Sequence, residues 1–210
     1  MIPKIIHSTG PSDKSTWNPI WNDCIGSWKN QFSELDYFHF NWNYEELDDL
    51  IRDDYPEFWD LYQLFSFYDM KIDFAQYCLL HKYGGIYHNL NVYCYQEFYE
   101  SIKNLEFVLL ESYIENEYIS SCITASKPGD PFWIDLIYEI KRTYYNYPHT
   151  ADTEQVKLLS EDFYHKDVTG NYMLSRFALR YNRPVAIMSK EEYNPSCNFN
   201  SELCKTKQIY

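Results

Sequence analysis

Between Phe67 and Tyr95 the chain reads as a helix, a glycine break and a strand, and this run limits the fold more than any other. Met70, Phe74, Tyr77 and Cys78 recur at helical spacing and give Phe67 to Tyr83 an apolar face. Gly84 and Gly85 end that helix as a C-terminal cap, because glycine takes the positive φ of a helix stop without a steric penalty. Gly85 to Tyr95 then has strand composition. A helix that feeds directly into a strand is a building unit of layered α/β architecture.

The same alternation extends along the chain. Ile2 to His7 is a short apolar run that suits a buried first strand, and Gly10 to Asp13 is a turn. Trp17, Ile20, Trp21, Cys24, Ile25 and Trp28 form a helical stripe that reads as core. Tyr37 to Trp42 is a second strand, and Asn43 with Glu46 makes a capping box for the acidic helix that follows. Pro56 opens a helix to Leu64. Strands follow at Phe107 to Leu110 and Ile119 to Ala125, then helices from Pro131 to about Tyr145, Glu154 to His165 and Tyr172 to Tyr181, and a last strand at Pro184 to Met188. The expectation is an α/β fold with a mostly parallel sheet flanked by helices, residues 1–210 forming one domain. Ligands of such sheets settle beyond the carboxyl ends of the strands, so the strand ending at Asn89-Leu90-Asn91 is the candidate site.

Charge narrows the partners. The chain has 18 basic and 31 acidic residues, a net charge of −13, which excludes a phosphate-backbone partner such as nucleic acid. A small phosphorylated ligand in a locally basic pocket stays compatible. The 22 tyrosines suit a core that borders a polar cleft, since each brings an apolar ring and a hydroxyl that needs a partner. Six cysteines lie without a CxxC pair or zinc spacing and read as buried thiols in a reducing compartment, with Cys197–Cys204 as the alternative late disulfide. No window reaches the ~18 apolar residues of a membrane span, and the opening Met-Ile-Pro-Lys-Ile-Ile-His has no leader pattern. The expectation is a soluble, cytoplasmic chain.

At IPKIIH, KIDFAQYCLLHKYGGIYHNLNVY and VTGNYMLSR the chain resembles the family-32 glycosyltransferases, the group with a sugar-binding region carrying a D-x-D motif. The resemblance runs from Pro3 to about Arg180 and is most specific in the central block. It implies a GT-A fold, a Rossmann-like sheet, and transfer of a sugar from a UDP- or GDP-linked donor to a glycan or protein acceptor hydroxyl, with retention. It implies Mn²⁺ or Mg²⁺ held by two aspartates, at the positions that here are Asn89 and Asn91. The family's helical Asp matches Asp73, and its Arg three residues on is replaced by Gln76. His7 takes the position beside the nucleotide base, and Tyr87 lies next to the glycine pair. Ser126 to Pro131 resembles Ser-Lys-Pro-x-His-Pro with Asp130 in place of His, and Thr169-Gly170-Asn171 stands for Thr-Gly-Pro. No catalytic residue is assigned, and a C-terminal His near a Trp has no evident counterpart.

The amides carry the chemical question. A leaving diphosphate gathers negative charge that a divalent ion meets as a Lewis acid. Each carboxylate lost beside that ion forfeits roughly 4 kcal/mol of attraction at ~4 Å and an effective dielectric of ~20. Gln76 cannot replace a guanidinium at phosphate. Either the chain transfers sugar with weakened or lost metal dependence, or it is an inactive pseudo-glycosyltransferase that binds a nucleotide, a sugar or a partner. Cations that could stand in for the metal are Lys127, His88, and Lys205 or Lys207; strand alternation turns His88 away from Asn89. The donor-binding set is then His7, Asp73, Gln76, Tyr87, Asn89, Asn91 and Lys127. Asn89 and Asn91 read equally as strand-end amides that satisfy a tight turn.

Overall fold

The computed structural model describes residues 1–114, 117–146, 161–194 and 204–209. Six strands build the main sheet: β1 (Ile5–Thr9), β2 (Phe38–Trp42), β3 (Gly85–His88), β5 (Phe107–Glu111), β6 (Ile119–Ser126) and β7 (Ala186–Met188), in the order β2-β1-β3-β6-β5-β7. β1 pairs parallel with β2 and β3, and β5 pairs parallel with β7. β6 runs antiparallel to both β3 and β5. The sheet is therefore mixed, its parallel pairs at both ends joined through one reversed strand. Strand-length apolar runs cannot report direction, which is why β6 was not legible as reversed.

The expected strand Gly85 to Tyr95 is two strands. β3 stops at His88, the chain turns through Asn89-Leu90-Asn91 with Val92 N–H donating to Asn89 C=O at 3.1 Å, and β4 (Val92–Cys94) leaves the main sheet. β4 pairs antiparallel with β8 (Thr206–Gln208) in a separate two-stranded sheet. Its far side is held by α1 (Pro19–Gln31): the Trp28 indole donates to Val92 C=O at 2.8 Å, and Ser27 Oγ accepts from Cys94 N–H at 2.8 Å. The sequence pattern missed the break because Leu90 and Val92 continue the apolar run through it.

The helices are α2 (Tyr44–Asp54), α3 (Trp59–Leu64), α4 (Tyr68–Tyr83), α5 (Tyr99–Ile102), α6 (Pro131–Asn146), α7 (Glu161–Val168), α8 (Asn171–Arg180) and α9 (Lys190–Tyr193). Asn43 and Glu46 exchange the two bonds of the expected capping box at α2. Pro56 opens a 3-10 turn, with α3 starting after it. The expected helix from Glu154 to His165 is described only from Glu161, and Cys197 lies outside the described residues; Cys204 is a buried free thiol. No helix among the described residues is long and apolar enough to cross a membrane.

Strand alternation divides the core in two. Ile6, Ile86, Ile123 and Ala125 face α1 with Trp28 and Phe32, and Tyr87, Phe107, Leu109 and Ile119 face α4 and α6. α4 is buried far beyond the single face its periodicity suggested: every residue from Asp73 to Leu80 is buried. It contacts α2, α6, α7 and the sheet at once, so its middle turns face protein all round while Tyr68 and Asp69 at its start stay exposed. Burying each large apolar side chain in that layer contributes about 2 kcal/mol, and each polar one must find a partner inside.

The glycine break is under strong steric demand. Gly84 has φ 64° and ψ −154°, a conformation restricted to glycine, and a Cβ there would meet Pro128 N and Ser126 O at 2.6 Å. Replacing Gly84 with Ala is expected to destabilise the fold by about 2–5 kcal/mol, read as a fall in the urea midpoint. An unchanged midpoint would contradict the assigned backbone. Two buried histidines set the acid response. Burial lowers His7 to about 4 and His88 to about 3. The unfolded chain takes those protons near pH 6.5 while the folded chain refuses them, so stability is full above ~6.5 and falls as pH drops. Each histidine should remove about 2 kcal/mol between pH 6.5 and 5; denaturant titrations at the two pH values that give equal free energies would refute this.

Candidate active site

A cleft of about 400 Å³ opens at the carboxyl ends of β1 and β3. Thr9 and Gly10 from the end of β1 and Asn89 to Asn91 from the turn after β3 form its floor. Thr9 Oγ1 and the Tyr87 hydroxyl are 2.6 Å apart, a bond that ties the two strand ends together beneath the cleft. Trp21 of α1 and Tyr44 at the start of α2 supply an aromatic wall. The polar lining is Asp69 and Asp73, one helical turn apart on α4, with Ser121, His165 and Asn171. Apolar surface with a few convergent polar groups is the composition of a small-molecule site.

Asp73 is the centre of the polar wall. Its Oδ2 accepts from His165 Nε2 at 2.6 Å and from Thr169 Oγ1 at 3.3 Å. The partners come from α7 and the turn after it, where the Tyr77 hydroxyl of α4 also donates to Thr169 C=O at 2.8 Å. Gly170 makes this approach feasible, since a Cβ there would lie 2.9 Å from Lys166 Cα and 3.2 Å from Asp73 Oδ2. α8 then starts at the cleft, and Asn171 reaches back to β6: its Oδ1 accepts from Ser121 N–H at 2.8 Å and its Nδ2 donates to Glu117 at 3.1 Å. Glu117 is fully buried at its side chain and stands 3.6 Å from Lys166 Nζ.

Of the residues proposed from sequence, Asp73, Tyr87, Asn89 and Asn91 line this cleft and His7, Gln76 and Lys127 do not. His7 is enclosed: Nε2–H donates to Gly84 C=O at 2.8 Å and Nδ1 accepts from the Trp42 indole at 3.0 Å, which fixes one neutral tautomer. Its ring packs among Phe40, Trp42 and Tyr83. Gln76 locks α4 to β6, donating from Nε2 to Ser121 C=O and to Thr124 Oγ1, each at 3.0 Å. A guanidinium in that closed space would have no counter-charge from these two neutral acceptors. Lys127 pairs with Glu106 and comes within 3.9 Å of Asp130. Asp130 is buried and bonded to Arg183 at 2.5 Å, so this corner is a structural charge cluster. His88 stacks on Trp28 with ring centroids 4.1 Å apart, its Nδ1 is 3.0 Å from the Asn89 backbone carbonyl, and it does not line the cleft. Lys205 bonds Gln96, and Lys207 lies opposite Tyr93 in the small sheet.

His165, Lys166, Asp69, Ser121 and Asn171 were not foreseen. Asp69 carried a signal, the i,i−4 spacing from Asp73 on one helix. His165 and Lys166 carried none, because their place depends on how α7 docks on α4. The donor set also bears on a metal. Asn89 and Asn91 offer neutral carbonyls, Asp73 Oδ2 is already taken up by two donors, and no group of three His, Cys, Asp or Glu among the described residues could hold an ion. At the strand end this set offers a hard dication neutral oxygens in place of paired carboxylates, a weaker grip, and the carboxylates of the cleft come from Asp69 and Asp73 of α4.

Comparison with known proteins agrees with the geometry. Residues 18–109 match the family model for the glycosyltransferase sugar-binding region containing the DXD motif. The chain is similar to inositol phosphoceramide mannosyltransferase 3 of Schizosaccharomyces pombe, 29% identical over 148 residues, 70% of this chain and 39% of that protein. It is also similar to mannosyl phosphorylinositol ceramide synthase CSH1 of Saccharomyces cerevisiae, 28% identical over 143 residues, 67% of this chain and 36% of that protein. The chain thus spans less than two fifths of the length of these relatives. In fold it is similar to the PaToxG glycosyltransferase, with a TM-score of 0.60 at 11% identity over 85% of this chain and 69% of that one. Over residues 18–109 the chain is thus similar to the glycosyltransferase sugar-binding region containing the DXD motif, and its architecture is that of a GT-A fold.

Proposed function

We propose that residues 1–210 act as one unit that binds a nucleotide sugar in the cleft and transfers its sugar to an acceptor hydroxyl with retention, with metal dependence weakened or lost. The observation that carries this reading is the convergence of Asp73, Asn89 and Asn91 on one cleft at the carboxyl ends of two parallel strands. That is where a doubly wound sheet receives its nucleotide. Asp73 accepts from the sugar hydroxyls, and His165 holds its carboxylate in place. Asn89 and Asn91 reach ribose and diphosphate. Trp21 and Tyr44 cover the apolar faces of the donor. The Schizosaccharomyces pombe relative is a mannosyltransferase by name, which makes GDP-mannose the first donor to test beside UDP-sugars. Its acceptor is a glycan or a protein hydroxyl.

A second reading has its own support. Neutral amides where paired charges hold a metal, together with an Asp73 oxygen already bonded, suit a site that binds a donor without turning it over. Donor-dependent hydrolysis or transfer by the purified chain separates the two: turnover with GDP-mannose or a UDP-sugar excludes the inactive form, and binding without turnover selects it. The electrostatic argument has a test of its own. Restoring Asp at positions 89 and 91 together should raise Mn²⁺ affinity by at least about 100-fold, the effect of two carboxylates close to a dication. Calorimetry that finds tight Mn²⁺ binding already in the natural chain would overturn the loss of metal dependence.

A further inference from the structure

A hexose presents hydroxyls around its whole ring, and Asp73 by itself meets few of them. Its Oδ2 already accepts from His165 Nε2 and Thr169 Oγ1, so Oδ1 is what remains for a ligand. A second carboxylate lines the same cleft. Asp69 precedes Asp73 by one turn of α4, which puts the two on one helix face with Cβ atoms about 5–6 Å apart. Asp73 is buried and Asp69 exposed, so Asp69 stands at the mouth and Asp73 deeper in. The Asp69 carboxylate enters no hydrogen bond or ion pair among the described residues, which leaves both of its oxygens to accept from a ligand. Tyr44 of the aromatic wall lies within reach of its charge: burial first, and then Asp69, raise the Tyr44 phenol above its usual pKa. The Tyr44 ring also stacks on Tyr68 with centroids 4.9 Å apart, so a flat apolar surface borders the carboxylate. An aromatic face beside hydrogen-bond acceptors suits a sugar, whose C–H face is apolar and whose rim carries donors.

We propose that Asp69 is a second sugar-binding residue of this cleft, accepting hydrogen bonds from donor-sugar hydroxyls at the mouth while Asp73 accepts from hydroxyls deeper in. The inference rests on the reading of the cleft as a nucleotide-sugar site. One helical turn between the two carboxylates is about the width of a hexose ring, so a single face of α4 can hold hydroxyls at two edges of one sugar. Hydroxyl donation to a carboxylate is charge-assisted and roughly twice as strong as donation to a neutral oxygen. The diphosphate gains nothing from Asp69, because like charges repel. Asp69 therefore selects the sugar and leaves the nucleotide to other groups.

Calorimetry with GDP, UDP, GDP-mannose, UDP-glucose and UDP-galactose, run with and without Mn²⁺, tests the assignment. The natural chain should bind at least one of the three nucleotide sugars. Asp69→Ala should weaken that nucleotide sugar by about 10- to 100-fold, the loss of hydrogen bonds to a charged group, and leave its diphosphate equal or slightly tighter. Asp69→Asn should fall between, because its carbonyl oxygen accepts without the charge. An exposed first-turn carboxylate gives its helix only a small electrostatic contribution, so both variants should fold, with a melting midpoint close to that of the natural chain. Asp60→Ala removes an exposed acid of α3 outside the cleft and should change neither ligand. Unchanged nucleotide-sugar affinity in Asp69→Ala, parallel loss of sugar donor and diphosphate, or an equal loss in Asp60→Ala would each overturn the role of Asp69. If the diphosphates bind and no nucleotide sugar does, the nucleotide cleft stands and the inference falls; if none binds, both fall.

Discussion

The enclosure of α4 governs the rest of the molecule. The buried middle turns of α4, Asp73 to Leu80, leave little access to water, so Asp73, Gln76 and the Tyr77 hydroxyl each find partners within the protein. Those partners lie on β6, on α7 and in the turn that follows α7. Satisfying the buried polar groups therefore sets the distance between the sheet and the α7–α8 pair, and the cleft lies between them. The same helix ends at Gly84, whose conformation lets the chain pass close to the β6–α6 connection and enter β3 beside β1. One helix thus supplies the acidic wall of the site and aims the strand that forms its floor.

The electrostatic character of the cleft follows from this packing. Its acid group, Asp73, is held by an imidazole and a hydroxyl, and its amides come from a turn whose backbone bonds are satisfied locally and by the C-terminal strand, with Ile209 N–H donating to Asn91 C=O at 2.7 Å. Among the described residues, the basic side chains that line the cleft, His165 and Lys166, come from the last turn of α7, and each is paired with a carboxylate. A dication gripped by a strand end would place the charge at the floor. The Asp73–His165 and Glu117–Lys166 pairs link α7 to α4 and to the segment before β6.

Several features were legible before any coordinates. The capping box at Asn43, the glycine stop at Gly84 and the helix from Pro131 rest on local chemistry between near neighbours, and local chemistry is written in order along the chain. That Asn89-Leu90-Asn91 follows a strand end was legible for a related reason, and the structure places this turn beside a cleft. The direction of β6 and the break between β3 and β4 were not, because apolar runs report burial and are silent on pairing partner and direction. His7 and Gln76 were plausible donor contacts by position, and the closed space around each became visible only when Trp42, Thr124 and Ser121 were brought against them.

The sequence by itself determined the alternation of helices and strands, the acidic balance of the chain, and the pair of neutral amides at Asn89 and Asn91. Each is a property of a residue or of its close neighbours. Only the tertiary structure decided which polar groups meet. Asp73 and His165 are 92 residues apart in the chain, and their 2.6 Å contact exists because two helices pack around buried groups that must be satisfied. Helical periodicity tells which face of each helix is apolar, but not which other helix it will face, and the chemistry of this cleft arises at that meeting.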